Sequence, residues 1–180
     1  MKNKLLFLLI SLVIFFGLTI TVSLAQKKEI QFSAFKSEKI KASNISWEGH
    51  FGGRKGEPNN LYTLMTQGGF LAPTSKNYEA LIKSWLDEHP NAQTTVVYVL
   101  EGMLTDVPDS KMKAVWITDG DANLNIHLVR IGGCPAGTML LNPEDKTSLT
   151  QEEYQTFAKK LIEAQQLAKQ EKLGIWSESK

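Results

Sequence analysis

Arg54, Lys55 and Glu57 stand almost side by side in a glycine-rich stretch, Gly52-Gly-Arg-Lys-Gly56. A guanidinium and a carboxylate at such a bend could rim a cleft, the one meeting an anion and the other handling a proton. A solvated hairpin turn is the plainer reading. Asp119-Gly120-Asp121 could offer carboxylates to a cation, but Asp-Gly is a leading hairpin signal, so a turn is preferred. Cys134 lies in Gly132-Gly-Cys-Pro-Ala-Gly137, with His127 nearby in sequence. The two could pair as thiolate and imidazole, although a lone cysteine is more often buried and inert. His50 and His89 have no second ligand at metal spacing. Trp47, Phe51 and Tyr62 could form a stacking face for a flat ligand, and core packing accounts for them equally well.

Those residues need elements to hold them. The chain has 180 residues, 42% hydrophobic and 22% charged, which suits one soluble globular domain. Its start is set apart. Lys2 and Lys4 precede a charge-free run from Leu5 to Val22, and Ser23-Leu-Ala25 follows. This is the pattern of a secretory signal sequence, residues 1–25, with cleavage expected before Gln26. The run is also long enough to be an uncleaved anchor. No cysteine follows it, so a lipoprotein anchor is excluded. Export to a periplasm or out of the cell is therefore expected. Without Lys2 and Lys4 the chain has 18 basic against 19 acidic residues, a net charge of −1. A nucleic-acid binder usually has a clear basic excess, so nucleic acid remains possible but unsupported by charge. Contact with a membrane is expected only through an uncleaved N-terminus. Cys134 is the only cysteine, so no internal disulfide forms.

Residues 26–43 are rich in Lys and Ser and read as a linker or a loosely held arm. The domain is expected over 44–180. Residues 45–51 alternate like a strand. Turn chemistry follows, then short strands at Leu61–Thr66 and Phe70–Ala72. Helical spacing runs over 75–89, with Tyr78, Leu81, Ile82, Trp85 and Leu86 as its apolar stripe. Thr94–Leu100 and Ala114–Thr118 read as strands. Thr150 and Glu153 fit a capping box at the start of a helix, and Gly174 is placed to stop it. Leu124, Ile126 and Leu128 alternate with polar residues, which periodicity alone reads as a strand. The order of strands, helix, strands and helix suits a small closed barrel with packed helices.

Two segments resemble the C-terminal half of the staphylococcal nuclease (thermonuclease) family. Val115–Gly132 is similar to its strand, Asp-Gly turn and Asn-x-x-Leu-Val-Arg-x-Gly. Glu163–Trp176 is similar to its closing helix, which ends Ala-Lys-x-x-x-Leu-x-Ile-Trp. The resemblance implies an α+β fold, a five-stranded OB-type barrel with about three helices. It also implies a short helix, not a strand, for the stretch from Leu124 to Leu128, and extra chain at Leu140–Leu149.

The family hydrolyses phosphodiesters with Ca²⁺ held by aspartates, a glutamate and two arginines. Fixed cations are needed there to meet the charge that builds on phosphorus. This chain lacks the Asp-Gly-Asp of the first hairpin. Where the family has Asp-Thr-Pro-Glu, it reads Gly69-Phe-Leu-Ala-Pro-Thr-Ser75. Lys111 aligns with the later arginine. Only Arg54 and Arg130 are arginines, and Arg130 lies in the structural Leu-Val-Arg-x-Gly. A lysine cannot reproduce the bidentate guanidinium fork. The expectation is a degenerate, non-catalytic binding module with no cofactor and an unknown ligand on the barrel face. A divergent secreted nuclease is the alternative, drawing on Arg54, Glu57 and Lys111, and only then with Ca²⁺.

Overall fold

The computed structural model describes residues 29–66, 73–102, 107, 109–137 and 144–177. The apolar N-terminal run and the strand expected at Phe70–Ala72 fall outside them, as does part of Leu140–Leu149. The strands are β1 (Lys39–Lys41), β2 (Ile45–Glu48), β3 (Phe51–Arg54), β4 (Asn60–Leu64), β5 (Gln93–Glu101), β6 (Lys111–Asp119) and β7 (Ala122–Asn123). The helices are α1 (Tyr78–Glu88), α2 (Leu124–Arg130) and α3 (Gln151–Gln170).

The strands lie in the order β1-β5-β6-β4-β3-β2, with β7 paired to the end of β6. β4 and β6 run parallel, Tyr62 opposite Lys113, and the other pairs are antiparallel. The two margins of this sheet, β1 and β2, are joined by a single 3₁₀ turn, Ala42–Asn44. A flat sheet would put them about 24 Å apart, and the link can stretch only about 14 Å. The sheet therefore curls until its margins meet. With β1 and β2 counted as one bent strand and the two-residue β7 set aside, the described residues form the expected five-stranded OB-type barrel, with three α-helices.

Alternation fills the inside. Trp47, Tyr62, Leu64, Val96, Val115 and Ile117 are all buried. α1 closes one side with Tyr78, Ile82 and Trp85, and α3 contributes Phe157, Leu161, Ala164 and Ala168. The capping box at Thr150 and Glu153 is present. Leu124–Arg130 is a helix, against its own alternation. The Asn123 side chain caps it by accepting from the Ile126 N–H at 3.1 Å. The Asn125 amide then accepts from the Ile117 N–H at 3.0 Å and donates to the Val115 carbonyl at 2.9 Å. The polar Asn125 is thus a buried clamp on β6, not a solvent-facing strand residue.

Three sequence expectations are corrected. Residues 45–51 are not one strand, because Gly49-His50 turns the chain between β2 and β3. The arm read as a linker is part of the domain from at least Gln31 onward. Its β1 pairs with β5 through Lys39–Thr95 to Lys41–Gln93, Ile40 and Ala42 are buried, and the Ser33 N–H reaches the Leu149 carbonyl at 2.8 Å. Its Lys- and Ser-rich composition hides the apolar side chains that anchor it, Ile30, Ile40 and Ala42 among them. Finally, Gly174 does not terminate α3. Lys172 takes the left-handed position, φ 54°, and the Leu173 N–H returns to the Ala168 carbonyl at 2.9 Å.

Gly174 serves another contact. It lies against Gly132, and the Ile175 N–H donates to the Gly132 carbonyl at 2.9 Å. A Cβ on Gly174 would sit 2.1 Å from the Gly132 oxygen, and one on Gly132 would sit 2.2 Å from the Leu173 oxygen. The two motif-bearing segments meet at this backbone-to-backbone contact.

Candidate functional site

The β3–β4 hairpin brings Arg54 and Glu57 together, with Arg54 Nη1 2.6 Å from Glu57 Oε1. Strand pairing then adds residues far away in sequence. Asn60 and Tyr62, on β4, donate to Glu57 Oε2 at 2.8 and 2.7 Å. Lys113, across the parallel β4–β6 ladder from Tyr62, reaches Glu57 at 3.2 Å and the Tyr62 hydroxyl at 3.3 Å. From the arm, Glu38 accepts from Lys113 at 3.0 Å and from Arg54 at 3.3 Å. Two cations and two carboxylates thus share one half-buried cluster around a buried tyrosine.

The cluster has a marked electrostatic bias. Burial pushes the Glu57 carboxyl up, but donation from Asn60, Tyr62 and Lys113 outweighs it and holds the group near about 2. The Tyr62 hydroxyl is pushed up by burial and by its bond to Glu57. Glu57 is therefore a firmly ionised acceptor whose lone pairs are already engaged. A general base near neutral pH needs the opposite, a carboxylate willing to take a proton.

Of the residues singled out from sequence, Arg54 and Glu57 meet and Lys111 does not join them. Lys111 lies at the start of β6, 3.4 Å from the exposed Glu101. Lys113 occupies the place in the cluster expected of it. The two lysines are a strand period apart on one face of β6, so only the parallel register with Tyr62 tells them apart. Glu38 was hidden in the presumed linker. In Asp119-Gly120-Asp121, Gly120 and Asp121 form the two-residue turn between β6 and β7, with Asp119 opposite Ala122. Among the described residues, no three His, Cys, Asp or Glu side chains gather as metal ligands.

The remaining candidates resolve into structural roles. Cys134 is fully buried, its sulfur 3.8 Å from the Thr66 hydroxyl. Desolvation pushes its thiol up to about 11, so it is no ready nucleophile. His127 is pulled down by burial and feels Glu88 and His89. His89 stacks on Trp85 at 3.9 Å and bonds its carbonyl, and His50 lies against Tyr78 and Thr74. Trp47 and Tyr62 are core residues and offer no stacking face. Beside Arg54, a groove of about 730 Å³ lies along β2 and β3, lined by Phe51, Lys55, Leu61, Glu79 and Lys83 among others.

No protein-family model matches the chain, and no curated protein matches it. Among solved structures, it is similar to the extended Tudor domain of Drosophila melanogaster Tudor-SN, at 17% identity and a TM-score of 0.38. The match covers 65% of this chain and 47% of that one, so the chain spans about half the length of that structure. The superposition is loose, and the barrel assignment stands on the strand order and register.

Proposed function

We propose that this chain is an exported binding module on a nuclease-like barrel, without catalysis, taking its ligand across the barrel face. One observation carries it. The acid and the cation that hydrolysis would require are spent on each other, Glu57 on Arg54 at 2.6 Å and on Lys113 at 3.2 Å. Phosphoryl transfer needs cations directed at the substrate's developing charge, and here each of the two is already met by a carboxylate. The nuclease-like parentage is supported by the two C-terminal segments and by their junction at Gly132 and Gly174. Export is supported by the Leu5–Ala25 segment. Among the described residues, no helix is long and apolar enough to cross a membrane.

A divergent secreted nuclease is the second reading, favoured by the gathering of Arg54, Glu57 and Lys113 in one place. A cleavage assay separates the two. Purified residues 26–180 with Ca²⁺, given plasmid DNA and RNA, are expected to leave both intact. Ca²⁺-dependent cleavage that disappears in Glu57→Gln, with near-ultraviolet dichroism retained, would establish the nuclease instead. N-terminal sequencing of the exported protein should begin at Gln26. Full-length chain held in the membrane fraction would show an uncleaved anchor.

A further inference from the structure

The two carboxylates of the cluster are held unequally. Glu57 has contacts of 2.6 Å to Arg54, 2.7 Å to Tyr62 and 2.8 Å to Asn60. Glu38 has only two, 3.3 Å to Arg54 and 3.0 Å to Lys113 (which Glu57 also reaches, at 3.2 Å), and its side chain is 44% exposed. Exposed ion pairs contribute little net stability, because water and other ions compete for both partners. Glu38 can leave by rotating its side chain, since the Val96 N–H still holds its backbone carbonyl at 2.9 Å. Arg54 also lines the groove of about 730 Å³, where Lys55 and Lys83 stand against Glu48 and Glu79. Glu79 is already committed to Lys83 at 2.6 Å and to the Gly49 N–H at 3.0 Å.

The geometry points to a masked carboxylate-binding site, in which Arg54 and Lys113 recognise an acidic peptide segment of a partner protein and Glu38 holds their place until displaced. The inference rests on the binding-module reading and names the ligand class of its site. Exchanging one carboxylate for another leaves the cluster's charge unchanged, and a guanidinium fork matches a carboxylate well. Two cations fit one such group. A nucleic-acid backbone would need a longer basic track.

The chain has only two arginines, Arg54 and Arg130, so their side-chain Nε–H signals report the site directly. Hexaglutamate is titrated into isotope-labelled residues 26–180, with Arg130, held by Glu171 at 2.7 Å, as internal control. Glu38→Gln should shift the Arg54 signal and bind about tenfold more tightly than the unaltered chain. Adding Lys113→Met should return the affinity to the starting level or below. Equal affinity of Glu38→Gln and the unaltered chain, or movement of Arg130 alone, overturns the masked site. Hexathymidylate and inorganic phosphate are run in parallel, and tighter binding of either to Glu38→Gln overturns the acidic-peptide assignment. Failure here leaves the binding-module reading intact, because the cleavage assay decides that separately.

Discussion

At the scale of single residues, Glu57 ties the hairpin to β6 by accepting from Arg54, Asn60, Tyr62 and Lys113. Its folded-state carboxyl lies near about 2, against an ordinary 4.5. A depressed carboxyl contributes stability that is complete above its unfolded value and is lost as pH falls through the folded one. The loss therefore falls between roughly pH 4.5 and 2 and amounts to something on the order of 3 kcal/mol. Glu57→Gln keeps the shape but not the charge. Thermal melts across that range should show a flatter acid slope in Glu57→Gln, and a pH 7 stability lower by about 2–3 kcal/mol. Parallel acid slopes for the two proteins would assign the stabilisation elsewhere. Tyr62 shows why a cluster of this kind is half legible. Its aromatic ring marks it as core, and it is core, but its hydroxyl is what joins the acid to the lysine.

At the scale of elements, the junction of α2 and α3 depends on two glycines touching backbone to backbone. Gly174→Ala puts a methyl group 2.1 Å from the Gly132 carbonyl oxygen, and Gly174 also has φ of 52°. Neither a rotamer nor a flexible neighbour can absorb that, because the obstacle is backbone. The expected cost is about 2–4 kcal/mol, read as a lowered urea midpoint at unchanged slope. A near-neutral Gly174→Ala would mean the closing segment is not docked as described. Element identity was largely readable from the chain, since Tyr78, Ile82 and Trp85 repeat at helical spacing and Thr150 and Glu153 form a reciprocal cap. Termini were less so. Lys172, not the nearby glycine, takes the left-handed position, because Gly174 is reserved for the tertiary contact. Periodicity also misreads α2, where Asn125 is polar yet buried, its amide replacing ladder bonds along β6. Register was not readable at all. Lys111 and Lys113 share a face, and only the parallel pairing with β4 selects the second.

At the scale of the whole molecule, barrel closure makes the arm indispensable. β1 supplies the sheet's last strand. Without it, β5 loses the partners of Gln93, Thr94 and Thr95, and the core loses Ile40 and Ala42. Burying an isoleucine is worth about 2–3 kcal/mol, and the exposed edge of β5 adds unmet backbone groups and an invitation to aggregate. Glu38 leaves as well, and Lys113 keeps only Glu57 as its carboxylate partner among the described residues. Domains of this kind have about 5–15 kcal/mol in total, so the combined loss is a large share of it. A chain starting at Asn44, where composition alone would cut, is thus expected to unfold at a much lower temperature than residues 26–180. It should also lose cooperativity and tend to aggregate. Circular dichroism melts of the two at equal concentration check this. Matching midpoints would mean that β1 is an ornament on a barrel already closed by β2, and would reverse the account of closure given by the strand order.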